Sequence, residues 1–98
     1  MFLRKYLNEF YFDLLLEEYE SDYLESLDEN KFSEIYNLFL ENNFYFVNDV
    51  VIRYLEIFNL DTNKVRNGLL ELQEKLGKHY VYLVGDDMRY LETILNFQ

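Results

Sequence analysis

The chain has 98 residues, with nine bases against 19 acids, ten Tyr, nine Phe, one His, and no Cys, Trp or Pro. Without Cys there are no disulfides, thiolate zinc sites or cysteine nucleophiles, and a single imidazole excludes multi-histidine metal centres. A formal charge of −10 argues against holding phosphate backbones by counterion release, and a half-hydrophobic composition argues against disorder.

Residues 1–98 are expected to form a single domain. Gly, Ala, Arg and Pro number only 3, 0, 4 and 0. Their codons are GC-rich, so an AT-rich gene is expected, as in a low-GC bacterium or its phages. Arg4 and Lys5 precede no apolar run, because Asn8, Glu9 and Asp13 interrupt it. Neither a signal peptide nor a membrane span is expected, and the expected location is the cytoplasm.

In chain order, residues 1–26 read as an acidic helical segment. Leu3, Leu7, Phe10 and Leu14 fit one helical face, extended by Phe12, Leu16 and Tyr19. Between Tyr6 and Asn30 stand nine acids and no base, so residues 1–30 hold nine acids against two bases and residues 31–98 ten against seven. Glu9, Asp13, Glu17 and Glu20 follow at spacings of 4, 4 and 3, one helical stripe, and Glu18, Asp22 and Glu25 widen it. Like charges at such spacings oppose one another by a few tenths of a kcal/mol, about the size of a favourable pair.

Residues 27–60 come next. Asp28 or Asn30 can cap a helix with Phe32, Ile35, Tyr36, Phe39 and Leu40 inward, ended by Asn42-Asn43. Val47 and Ile52 bracket Asn48 as a hydrophobic staple brackets a cap, and Val50, Val51, Tyr54, Leu55 and Phe58 line the helix that follows. In residues 61–98, Leu60 and Val65 bracket Asp61. Val65, Leu69, Leu72 and Leu76 form the stripe, and Gly77 closes the helix, with Lys75 and Lys78 beside its negative end. Asp86 is expected to open a last helix with Met88, Leu91, Ile94 and Leu95 inward. Phe44–Val47 and Tyr80–Val84 are apolar throughout, which fits a buried helical turn or a short strand; their places before capped helices favour helix.

Tyr-Leu-Glu occurs at 23–25, 54–56 and 90–92, where chance predicts roughly 0.2 occurrences. Phe44–Asp49 is similar to Val81–Asp86, and Leu27–Lys31 to Leu60–Lys64. The triplets at 54 and 90 lie 36 residues apart and the two longer matches 37 and 33, which implies two tandem helical repeats, the second about one turn longer. The expected fold is all-α, two repeats behind an acidic N-terminal capping helix. Repeats of this length, and the Leu76-Gly77 helix end, resemble those of the mitochondrial transcription termination factor family over residues 27–98. That resemblance implies architecture only. The chain lacks the proline such repeats carry, and the nucleic-acid binding of that family, which uses basic faces, contradicts the charge here.

The chemistry is sparse. A calcium loop begun at Asp61 meets Val65, Arg66 and Leu72 where it needs an acid or amide, Gly and Glu. The three Gly lie too far apart for a phosphate loop. His79, after a helix end, reads as structural or surface. Arg53 and Arg89 are expected in local helix ion pairs, with Asp49 or Asp86 before them and a Glu three residues after each. The tyrosines of the triplets are expected to bury their rings and keep their hydroxyls at the edge. No catalytic, metal or cofactor set is expected, and so no enzyme.

A bland account of the acids is a solvated, solubilising face. The functional account is a protein-binding surface, Glu9, Asp13, Glu17, Glu18, Glu20, Asp22 and Glu25, steering toward a basic partner such as a nuclease, a toxin or another nucleic-acid-handling complex. An inhibitor of phage anti-defence, antitoxin or immunity type would fit, with no direct nucleic acid and no membrane. A self-associating homodimer is the alternative reading, and a nucleic-acid-binding repeat protein the third.

Overall fold

The computed structural model describes residues 1–96. It is all-helical, and among the described residues there is no strand. After a 3-10 turn, Phe2–Lys5, come α1 (Glu9–Glu18), α2 (Ser21–Glu25), α3 (Glu29–Glu41) and α4 (Val47–Arg53). A second 3-10 turn, Leu55–Asn59, leads to α5 (Thr62–Leu76) and α6 (Tyr80–Asp86), and a third, Met88–Leu91, to α7 (Glu92–Asn96).

The long helices start where sequence chemistry says they should. The Asp28 carboxylate accepts the Lys31 N–H at 3.1 Å, and Asp61 accepts those of Asn63 and Lys64 at 2.8 and 3.4 Å. Each satisfies donors that a helix start leaves free. They end on left-handed backbone, at Asn43 (φ 67°) and Gly77 (φ 90°). Asp61 is thus a helix cap, which accounts for its acid without calcium.

The order long helix, short helix, 3-10 turn occurs twice, and each element starts 33 residues after its counterpart. The residues before the two short helices share a backbone conformation: Phe46 at φ −98°, ψ 26° and His79 at φ −99°, ψ 22°. The offset stays at 33, not 36 to 37, because α5 exceeds α3 by two residues (15 against 13) and the loop after it is shorter. The Tyr-Leu-Glu triplets therefore fall at unlike places. Leu55 opens its 3-10 turn and Leu91 closes the other, though both are fully buried.

Side chains of both halves and of the N-terminal segment form one contiguous core. Aromatic rings run through it: Phe2 and Tyr6 pack on Phe32, Phe32 on Phe58, Phe58 on Phe39, Phe39 on Phe44 and Phe44 on Tyr80, with centroids 5.0–5.8 Å apart. Offset and edge-to-face pairs like these add about 0.5–1.5 kcal/mol each beyond area burial. At the α5–α7 contact, a Cβ at Gly68 would stand 2.6 Å from Ile94 Cγ1, so only glycine lets the helices approach this closely.

Several local expectations give way to packing. Asn48 does not cap α4; the cap position falls two residues earlier, at Phe46, so that Val47, Val50 and Val51 are all buried, and Asn48 accepts the Tyr36 hydroxyl at 2.7 Å. The helix expected to run on to Phe58 breaks at Tyr54, and the 3-10 turn buries Leu55, Ile57 and Phe58 together. Asp86 ends α6; Asp87 caps the next turn through the Arg89 N–H. Tyr80–Val84 is helical, whereas Phe44–Phe46 is a turn entering α4. Leu40 is exposed and Leu38 buried in its place. At the N-terminus, Leu3 and Leu7 are buried outside α1, while Phe10 and Leu16 are exposed and Phe12 and Leu15 face the core.

Candidate functional site: an acidic face beside an apolar groove

The α1 helix starts at Asn8, whose side chain accepts the Tyr11 N–H at 3.0 Å. Phe12 and Leu15 anchor it, and α1 packs against α4. With the inward face so assigned, Glu9, Asp13 and Glu17 form one exposed row at i, i+4 spacing, and Glu18 points away around the axis. Glu20 does not join that row. Tyr19 leaves the helix in extended backbone (φ −131°, ψ 146°), so Glu20 occupies the cap position of α2, with Asp22 in its first turn and Glu25 at its end. Tertiary packing makes this corner: the Tyr19 and Tyr23 rings stack at 5.6 Å, and the Tyr19 hydroxyl donates to Glu56 at 3.2 Å.

All seven acids are exposed. The ion pairs among the described residues are Lys5–Glu29 at 3.0 Å, Arg89–Asp87 at 2.8 Å and Lys75–Glu71 at 3.8 Å, none of which involves the seven. The two bases nearest in sequence are engaged elsewhere: the Arg4 guanidinium lies 4.2 Å from the Phe12 ring centroid and Lys5 is on Glu29. The field of the row is therefore left to solvent and counterions.

Arg53 and Arg89 differ from expectation. Arg89 chelates Asp87 through Nε and Nη2 at 2.9 and 2.8 Å, holding that carboxyl down at about 2, and uses neither Asp86 nor Glu92. Arg53 forms no ion pair among the described residues. Two glutamates instead serve tyrosines: Glu56 accepts from Tyr19, and Glu92 from Tyr54 at 2.8 Å. Burial first, and then the Glu56 charge, push the Tyr19 hydroxyl up to about 12. The recurring triplet was the available signal, since Glu56 and Glu92 are both its third residue. Of its tyrosines, Tyr23 and Tyr54 are half-buried, whereas Tyr90 is exposed.

Beside the acidic row, Phe10, Tyr11 and Leu14 of α1 face Asp49, Ile52 and Arg53 of α4 and Met88 across an apolar groove of about 310 Å³. Sequence reading missed it, because it assigned Phe10 and Leu14 to the core. A larger, open depression of about 510 Å³ is lined by Lys31, Glu34, Asp61, Thr62, Asn63 and Arg66. Its charges balance, and Asp61 already occupies two of the free N–H groups of α5. Among the described residues, no group of three or more His, Asp or Glu side chains is placed to hold a metal ion. No described helix is long and apolar enough to cross a membrane. No family model matches the chain, and neither curated proteins nor solved structures offer a significant match.

Proposed function

We propose that this chain is a small, cytoplasmic, non-enzymatic protein-binding module that antagonises a basic, nucleic-acid-handling partner, in the manner of a phage anti-defence protein, an antitoxin or an immunity protein. Glu9, Asp13 and Glu17 form the docking row, and Glu18 around the axis and Glu20, Asp22 and Glu25 past the Tyr19 corner widen its field. One observation carries this reading: all seven are exposed and, among the described residues, none is paired with a base. Unpaired charge of one sign speeds encounter with an opposite surface and falls off with salt. A positive cleft built for nucleic acid is such a surface. The fold in this reading is a tandem duplication behind a capping segment, residues 1–26, 27–60 and 61–98, similar in architecture to mitochondrial transcription termination factor repeats. The 33-residue recurrence of helix starts and the two aspartate caps support it.

The test is association kinetics with the partner captured from the source cell, at two salt concentrations. Reversal of Glu9, Asp13, Glu17 and Glu20 to Lys should slow association about tenfold or more and flatten its salt dependence, with less change in dissociation. Wild-type association by this variant would leave the acids as a solubilising face.

A further inference from the structure

The groove between α1 and α4 lies next to the acidic row on the same helix. Phe10 and Leu14 follow Glu9 and Asp13 by one residue each, so an apolar row and an acidic row run side by side along α1. Phe10 is 65% exposed. A lone exposed phenylalanine needs no explanation. This one forms the lip of a depression floored by Ile52 and Met88, where a docked apolar group would remove it from water.

We infer that this groove seats an apolar side chain of a basic amphipathic segment of the partner, whose neighbouring Lys or Arg side chains reach Asp13 and Glu17. The inference rests on the acidic-face reading and specifies its partner. Size and charge choose the occupant. About 310 Å³ is at the lower end of ligand clefts, enough for one or two side chains. Within the lining, Asp49 and Arg53 stand one helical turn apart and offset each other, so the net field comes from Glu9, Asp13 and Glu17. That field repels nucleic acid and anionic lipid. It also repels a second copy of this chain, which carries −10 and would lay acidic row on acidic row. A helix with apolar residues every three or four positions and bases between them matches both rows at once.

The probes are three synthetic helical peptides: leucine with lysine, leucine with glutamate, and lysine with serine in place of leucine. Fluorescence anisotropy should show the leucine–lysine peptide binding wild type, the lysine–serine peptide at least about tenfold weaker, and the leucine–glutamate peptide not binding. Phe10→Ala should weaken the leucine–lysine peptide about tenfold with an unchanged thermal melt. Leu70→Ala, which removes an exposed leucine from α5, should leave affinity within about twofold. If charge reversal at Glu9, Asp13 and Glu17 abolishes binding while Phe10→Ala does not weaken it, the acidic face stands and the groove falls. If Phe10→Ala weakens binding and the reversal does not, the basic partner falls, and the acidic-face reading with it. Equal binding of the acidic peptide, no binding of the leucine–lysine peptide up to millimolar concentration, or a dimer dissociated by Phe10→Ala would each overturn the inference.

Discussion

α1 and α3 begin alike and end up doing different work. Each is started by a side chain that accepts the N–H three residues on, Asn8 from Tyr11 at 3.0 Å and Asp28 from Lys31 at 3.1 Å. α3 then buries Phe32, Ile35, Leu38 and Phe39 in the middle of the aromatic core, whereas α1 buries only Phe12 and Leu15. A helix that supplies so little of the core can leave Phe10 and Leu16 in water and hold four acids without a base. Cap chemistry starts a helix; neighbours on both sides decide how much of it is structural.

The comparison breaks first in the core. Phe39→Ala should lower stability by about 3–5 kcal/mol, and Leu55→Ala and Leu91→Ala by about 2–5 each, because all three side chains are fully buried. Phe10→Ala and Glu17→Lys on α1 should stay within about 0.5 kcal/mol. Urea melts settle it: a large loss at Phe10, or a small one at Phe39, would reverse the roles of the two helices.

Gly68→Ala probes the α5–α7 contact. Crowding Ile94 should cost about 1–3 kcal/mol, partly offset by the better helix propensity of alanine. Ile94→Ala opens the space, so the double variant should be more stable than the two single losses summed. Additive losses would mean that the helices are not in contact at Gly68.

Smaller still are the caps. Asn8→Ala and Asp28→Ala should each remove about 0.5–2 kcal/mol of local stability, since the two hydrogen bonds are alike. Amide hydrogen exchange should localise the first loss to α1, and leave the slowly exchanging amides of α3 protected in that variant.

Solvent screening of the half-exposed Tyr19 makes the electrostatic effect the smallest. The Tyr19 hydroxyl ionises at about 12 in the fold against 10.0 ordinarily, so its neutral, donating form is favoured by folding. That stability is fully present below pH 10 and is lost as pH rises through 12. Denaturation at about pH 9 and about pH 11 should show the loss in wild type and a reduced loss in Tyr19→Phe. Glu56→Gln should bring the tyrosine titration back toward its ordinary value.

Much of the helical plan was legible, because caps and apolar periodicity are local. Asp28, Asp61, Asn43 and Gly77 bound their helices as their chemistry requires. The all-α character and the exposure of the acids were legible in the same way, since charged side chains in a small domain have nowhere dry to go. The groove was not legible. Phe10 and Leu14 satisfy the helical pattern as well as Phe12 and Leu15 do, and periodicity does not say which of two apolar rows meets the core.

By itself, then, the sequence determined the residues that cap and close α3 and α5, favoured helix over strand throughout, and put an excess of negative charge in the N-terminal third. Only the tertiary structure decided that α4 starts at Val47 and is not capped by Asn48, that the chain turns at Tyr54, that Glu20 leaves the stripe, and that Phe10 lies at the lip of a groove. The reason is one of magnitude. A cap or a turn preference is worth about 1 kcal/mol, while burying one Val, Leu or Phe side chain is worth about 1.5–3, so where they conflict packing wins.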